Sequence, residues 1–134
     1  EKAKNNKVDK IAMAVDLQKI ENPEQLRPLL EMAKLCRASI EFVHVMHPDD
    51  KDSAEDRFNQ IMFLEKFASE IKSNINIITD TDILEGLSRY VETEKPDMLA
   101  MLSRKHTLFE RLFTQSITNK LAFRSEIPLL VMDE

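Results

Sequence analysis

The chain alternates between short apolar runs and longer segments in which apolar residues recur with helical spacing. The apolar runs predict five strands, at residues 10–16, 39–46, 75–79, 97–101 and 127–132. The first run is apolar on both faces, which is typical of a parallel strand buried between two helical layers. Because the connections are long enough for helices, the order βαβαβαβαβ predicts an α/β domain with a parallel sheet and helices on both faces.

The first helix has a clear start signal. Asn22, followed by Pro23 and Gln25, predicts a capping box with proline at the first helical position. Pro28 comes early enough in this helix to be tolerated with some distortion. The residues expected to face inward are Leu26, Leu29, Leu30, Ala33 and Cys36.

Three further helices are expected. A long one covers about residues 54–73, and its apolar stripe comprises Phe58, Ile61, Met62, Leu64 or Glu65, Ala68 and Ile71. Asp82 and Glu85 form a second capping box, which predicts a helix with Ile83, Leu84, Leu87, Tyr90 and Val91 facing inward. The last helix is expected near residues 116–125.

Composition limits the class of protein. A chain of 134 residues is the size of one domain, and no apolar run approaches the ~20 residues of a membrane-spanning helix. The net charge of −5 disfavours general binding to nucleic acid. Cys36 is the single cysteine, so we expect a buried structural thiol in a reducing cytoplasm. The polar start that lacks methionine suggests a linker or tail at residues 1–9, a domain at 10–134 and further chain upstream.

The expected ligand position follows from the topology. Folds of this class bind ligands at the carboxyl ends of the strands, near the point where strand order reverses. Here that means the loops after strand one and strand four, where Asp16 and Ser116 could contact a ligand; Val45, near the end of strand two, could offer its backbone groups. Each also has a structural interpretation, as a turn aspartate, a helix cap and a core valine. Phosphate loops use glycine for close backbone approach, but the one glycine, Gly86, lies elsewhere.

Several motifs together resemble the universal stress protein family, over about residues 10–132. Asp16 follows strand one, 43–45 read Val-His-Val, 97–101 form an Asp-aliphatic strand, and 116–132 look like the Ser-Val-Thr helix that leads into Pro-Val-Leu-Val. The resemblance implies a Rossmann-like fold with strand order 3-2-1-4-5. It also implies pairing through the edge strand 127–132, either as a homodimer or with a tandem domain.

The phosphate loop departs from the family pattern. Members that bind ATP are expected to carry Gly-x2-Gly-x9-Gly-Ser, and the matching positions here are Leu102, Lys105, Gln115 and Ser116. With the spacing kept and all three glycines replaced, we expect ATP binding to be lost and no cofactor to be held. Residues 104–113 also resemble a variant found in two-domain members, which would make this chain a second domain. The leading expectation is therefore a non-enzymatic cytoplasmic stress-response or regulatory domain that acts by pairing.

Alternatives remain at this point. An adenine-nucleotide module would hold ATP or AMP through a modified loop, using Asp16, Val45, Ser103, Arg104, Lys105 and Ser116. An enzyme of the adenine-nucleotide hydrolase-like group would need the missing loop, and a regulatory domain cut from a transporter is also compatible. The basic segment 103–124, with a net charge of +4, would bind an anion or an acidic partner, or form a solvated face. No metal site is expected, because His44 and His47 should point to different faces of a strand.

Overall fold

The computed structural model describes residues 7–15, 23–49, 54–103 and 127–133. The five strands are β1 (Lys10–Ala14), β2 (Ser39–Met46), β3 (Ser73–Thr79), β4 (Met98–Ser103) and β5 (Leu129–Asp133). The helices are α1 (Arg27–Cys36), α2 (Ala54–Phe67) and α3 (Ile83–Glu94), with a 3-10 helix at Pro23–Leu26 before α1. The expected helix at 116–125 lies outside the described residues.

The strands form one parallel sheet in the order β3-β2-β1-β4-β5, which confirms the predicted fold class and strand order. Order reverses beside β1, since the chain passes outward through β2 and β3 and then returns to β4. Asp97 lies at the end of the sheet where β1 and β4 begin. Its Oδ2 accepts hydrogen bonds from the N–H groups of Asp9 (2.9 Å) and Lys10 (3.0 Å). This aspartate therefore ties the start of β1 to β4.

Apolar side chains cover both faces of the sheet. On one face, Phe42, Ile40 and Met13 pack with Leu29 of α1 and Leu64 of α2. On the other face, Val43, Val45 and Leu99 pack with residues of α3, namely Leu84, Leu87, Tyr90 and Val91, as the sequence predicted. The helical layers therefore lie on opposite sides, as a right-handed crossover requires when the chain reverses direction along the sheet.

The first helix begins later than predicted. Residues 23–26 form a 3-10 turn, α1 starts at Arg27, and Leu26 rather than Asn22 is its N-cap residue, without a side-chain hydrogen bond. Pro28 explains the correction, because it cannot donate a hydrogen bond to Glu24 and its ring would clash with that carbonyl in a continuous α-helix. Of the inward residues, Leu26, Leu29 and Ala33 are buried, whereas Leu30 and Cys36 are half-buried.

The second helix is shorter than predicted. It ends at Phe67, and Ser73 belongs to β3, where it pairs with Ile40. Leu64 and the following Ala68 are buried as expected, but Phe58 and Met62 are exposed. The strand must begin at Ser73 to meet β2 in register, so the chain leaves the helix early and turns back over residues 68–72.

None of the helices in the described part of the chain is long and apolar enough to span a membrane. The predicted burial of Cys36 is only partly realised: its Sγ lies 3.8 Å from Met32 Sδ, on a half-buried face of α1. Helix α1 ends at Arg37, which adopts a left-handed conformation (φ 58°, ψ 44°), and Lys95 ends α3 in the same way.

A notch at the carboxyl edge of the sheet

The two neighbours of β1 run past its end. Met13 pairs with Ala100, and β4 continues to Ser103; Ala14 pairs with Val43, and β2 continues to Met46. Each neighbour therefore extends three residues beyond its last β1 partner. Because neighbouring strands lie about 4.8 Å apart, the ends of β2 and β4 beyond β1 are about 10 Å apart, and no strand of the described chain lies between them. We call this part of the carboxyl edge, bordered by Val15, Val45 and Leu102, the notch.

Backbone groups of β2 face the notch. Val15 N–H donates to Val43 O (2.9 Å), while on the other side Ile40 N–H donates to Lys72 O and Asp80 N–H to Met46 O, both at 3.0 Å. Successive residues of a strand point their N–H and C=O groups to alternate sides. Val45 therefore directs its N–H and C=O groups toward the side of β1, where they border the notch. Its role in binding stays a prediction.

Backbone groups of β4 face the notch from the other side. Leu99 N–H donates to Pro128 O (3.0 Å) on the β5 side. By the same alternation, the N–H and C=O groups of Leu102 point toward the side of β1. The notch is thus bordered by donor and acceptor pairs on two strands, an arrangement that suits a flat polar ring.

The side of the notch formed by β2 is closely packed against α3. Val45 is buried, and a Cβ built on Gly86 of α3 would lie only 2.8 Å from Val45 Cγ1. The structural interpretation of the Val45 side chain therefore holds. His44, also buried, lies with its Nδ1 3.2 Å from Val15 O, the last described carbonyl before residue 16. This contact anchors the end of β1 next to the notch.

An ionic pair lies at the end of β3. Asp80 forms a salt bridge with Arg89 of α3, and its Oδ1 accepts a hydrogen bond from Asp82 N–H (2.9 Å). The Asp82 side chain in turn accepts from Leu84 N–H (2.9 Å) and Glu85 N–H (3.4 Å), as an N-cap should. The prediction that Asp82 caps α3 is thus confirmed. A capping box would also have the Asp82 N–H donate to the Glu85 side chain, but this N–H donates to Asp80.

The structure places only some of the predicted site residues. Leu102 and Ser103 belong to β4, opposite Met132 and Asp133, so the prediction that the loop begins at residue 102 was wrong. The reason is that the apolar run continues and the facing strand β5 extends to 133, so the ladder closes over both residues. Asp16, Arg104, Lys105 and Ser116 lie outside the described residues, as do Gln115 and the rest of the basic segment.

A second polar cluster, which the sequence reasoning missed, lies among the buried residues of the α3 face. Glu41 accepts hydrogen bonds from the Tyr90 hydroxyl and from Asn74 Nδ2 (3.0 Å), and Lys10 Nζ is 3.8 Å from its Oε1. Glu41 and Tyr90 are both buried. Burial, followed by the hydrogen bond to the Glu41 carboxylate, raises the pKa of Tyr90 above its usual value. An acidic residue inside a mostly apolar strand was the available sequence signal.

The described residues contain no group of histidine, cysteine and acidic side chains that could hold a metal ion. His44 is buried, whereas His47 is exposed and accepts a hydrogen bond from Asp49 N–H (2.9 Å) through its Nδ1. What the described part of the notch presents is the backbone groups of Val45 and Leu102, beside the buried side chains of Val15 and Val45. That chemistry can recognise the edge of a base.

A parallel sheet that reverses its order beside β1, with a notch at that point, defines a Rossmann-like architecture. The chain belongs to the universal stress protein family, whose pattern it matches over residues 7–133. This confirms the resemblance inferred from the sequence. Among curated proteins, none matches the chain in sequence.

Solved structures of universal stress proteins share the fold at low identity. One from Archaeoglobus fulgidus is 14% identical, with a TM-score of 0.68 over 94% of each chain. Another from this organism, in complex with dAMP, is 14% identical with a TM-score of 0.65 over 92% of this chain and 97% of that one. A third, from A. fulgidus DSM 4304, is 18% identical with a TM-score of 0.65, and the match covers 94% of this chain but 44% of that one.

Proposed function

We propose that this universal stress domain is a non-enzymatic regulatory module of the cytoplasm that acts by pairing with a second domain of its kind along β5. The observation that carries the proposal is the position of β5 at one edge of the sheet, where Leu129 is 37% exposed. An apolar edge strand needs a cover, and a second edge strand supplies the missing hydrogen bonds as well as apolar contact. The A. fulgidus relative that is more than twice as long as the matched segment is compatible with pairing within one chain.

The pairing is tested with a charge on the edge. We expect Leu129→Lys to convert a dimer of the domain into a monomer in sedimentation equilibrium, because a lysine on a strand edge opposes strand addition. Leu35→Lys is the matched control, since Leu35 is 82% exposed and belongs to helix α1 rather than to a strand edge. A wild-type domain that is monomeric at high concentration, or a Leu129→Lys variant that keeps the dimer, would contradict homodimer formation through β5.

The phosphate part of nucleotide binding is proposed to be lost. Leu102 carries a side chain where the family pattern has its first glycine, and its backbone is part of the β4–β5 ladder. A phosphate group needs several N–H groups that converge without obstruction by Cβ atoms. We therefore expect phosphates to add nothing to affinity.

A second candidate function is recognition of an adenine nucleotide through a modified loop. It is favoured by the backbone groups of Val45 and Leu102 at the notch and by the relative in complex with dAMP. In this interpretation Asp16 and Ser103 would contact the ribose, while Arg104, Lys105 and Ser116 would replace part of the phosphate loop. The ligand would be AMP or ATP, held through its base at the notch and through the modified loop.

Calorimetric titration with adenosine, AMP and ATP, with and without magnesium, separates the two candidates. Equal weak binding of all three would support base recognition with a lost phosphate loop. No heat at millimolar ligand would leave the pairing function alone. ATP binding tighter than about 100 μM, and tighter than adenosine, would contradict loss of the phosphate site, since that corresponds to about −5.5 kcal/mol.

A further inference from the structure

The other edge of the sheet is β3, and no strand of the described chain pairs with its outer side. Its seven residues, Ser73–Thr79, read Ser-Asn-Ile-Asn-Ile-Ile-Thr and include no charged residue, proline or glycine. Proteins usually protect such an edge with charges, proline, a bulge or a short strand, and an uncharged run rich in isoleucine and asparagine is the type that pairs with another strand. Ile77 is 40% exposed.

The free hydrogen-bonding groups of this edge can be assigned. Ile40 N–H donates to Lys72 O and Asp80 N–H donates to Met46 O, so the two residues that flank β3 point their backbone groups toward β2. Alternation then directs the N–H and C=O groups of Ser73, Ile75, Ile77 and Thr79 away from the sheet. Within the described part of the chain, these outward groups have no partner.

We propose that β3 pairs with β3 of a second copy of this chain, antiparallel and centred on Asn76. In this register all seven residues overlap, and Ile75 faces Ile77 of the second copy while Ser73 faces Thr79. These are pairs of outward-pointing residues, as hydrogen-bonded pairs of an antiparallel ladder must be. A register shifted by a single residue in one strand would set an outward-pointing residue against an inward-pointing one and lose the ladder.

Charge complementarity favours a second copy as the occupant. Lys72 is exposed just before β3, and no described acidic group lies within ion-pair distance of it. Among the described residues, Asp80 and Asp82 follow β3, and Arg89 forms a salt bridge with Asp80. The strand is therefore positive at its start and has one excess negative charge at its end. Antiparallel pairing about Asn76 brings Lys72 of each copy to the acidic end of the other.

Apolar burial points the same way. Ile75 packs with the cluster of Phe42 on the α1–α2 face, and Ile77, two residues on, lies on that face as well. In the proposed register the exposed Ile77 comes to lie beside Ile75 of the second copy. The pairing therefore covers the exposed apolar side chain that the isolated edge leaves in water.

Disulfide trapping tests the register. In a Cys36→Ala background, Asn76→Cys places two thiols opposite each other in a non-hydrogen-bonded pair, whose Cα atoms lie about 4.5 Å apart, within disulfide range. Thr79→Cys is the matched control on the same strand, because its two copies would be separated by six residues, about 20 Å. We expect a covalent dimer under mild oxidation for Asn76→Cys and at least tenfold less for Thr79→Cys. Equal yields from the two variants would overturn the proposal.

Sedimentation separates this interface from pairing through β5. We expect Ile77→Lys to weaken β3-mediated association at least tenfold, while Leu129→Lys leaves it unchanged. Circular dichroism confirms that both variants fold. If Ile77→Lys does not weaken association, the proposed β3 interface is wrong, whether or not Leu129→Lys weakens association. If Ile77→Lys weakens association and Leu129→Lys does not, the proposed β5 pairing is wrong and the β3 pairing is supported.

Discussion

Gly86 of α3 lies directly against Val45 of β2: a methyl group added at Gly86 would stand 2.8 Å from Val45 Cγ1 and 3.2 Å from Asp80 Cβ. Glycine inside a helix costs about 0.5–1 kcal/mol relative to alanine. In this protein the lone glycine serves the close approach of helix and strand, beside the notch. Its backbone is ordinary, since the described chain has no glycine with positive φ.

We predict that Gly86→Ala destabilises the protein by about 1–3 kcal/mol, because the overpacking at Val45 exceeds the gain in helix propensity. Urea denaturation measures the effect. Thr93→Ala, at an exposed position of the same helix, should change stability by less than about 0.5 kcal/mol. The double variant Val45→Ala/Gly86→Ala should be more stable than the sum of the single effects implies, and simple additivity would contradict the contact.

The buried pair of Glu41 and Tyr90 should make stability sensitive to alkaline pH. The folded protein raises the pKa of Tyr90 above its ordinary value of 10.0, so the native state retains the proton more strongly than the unfolded state. The stabilisation is therefore complete below about pH 10 and is lost as pH rises further. Denaturation of the wild type and of Tyr90→Phe between pH 8 and 11 checks this, because the difference between them should shrink at high pH.

At neutral pH we expect Tyr90→Phe to lower the free energy of unfolding by about 1–3 kcal/mol, since it removes a hydrogen bond to a buried carboxylate. Glu41→Gln keeps the shape of the side chain and removes its charge, and it should flatten the alkaline dependence. An unchanged slope in Tyr90→Phe would mean that another group is responsible.

Replacing Arg37 by glycine should stabilise the protein. Arg37 ends α1 at φ 58° and ψ 44°, a left-handed conformation that costs a residue with a Cβ about 1 kcal/mol. We predict a gain of about 0.5–1 kcal/mol for Arg37→Gly in thermal or urea denaturation. Glu31→Gly, at an exposed position within α1, should lower the free energy of unfolding by about 1 kcal/mol. The two substitutions by glycine should therefore change stability in opposite directions.

Restoring the glycines of the family pattern tests the proposed loss of the phosphate site. The triple variant Leu102→Gly/Lys105→Gly/Gln115→Gly should bind ATP at least tenfold more tightly than the wild type, because backbone N–H groups could then approach the phosphates. Calorimetry measures the change, and Ser116→Ala in the same background should reduce it. An unchanged affinity in a folded triple variant would show that the loop glycines are insufficient.

Much of the fold could be read from the sequence because it depends on local patterns. The apolar run at 39–46 matches β2 in both bounds, and the inward residues of α3 follow their helical spacing. The boundaries that failed were those decided by neighbours in space. Leu102 reads as the start of a polar loop, but it pairs with Met132, and residue 73 reads as helix, but it pairs with Ile40.

The sequence by itself determined the family, the parallel α/β sheet and the loss of the glycines, because these reside in residue types and their spacing. Only the tertiary structure decided which backbone groups border the notch, since this depends on β2 and β4 continuing past the end of β1. It also decided that Glu41 meets Tyr90 and that Gly86 meets Val45, because these contacts join residues 49 and 41 positions apart in the chain. Such contacts leave no local pattern in a single sequence.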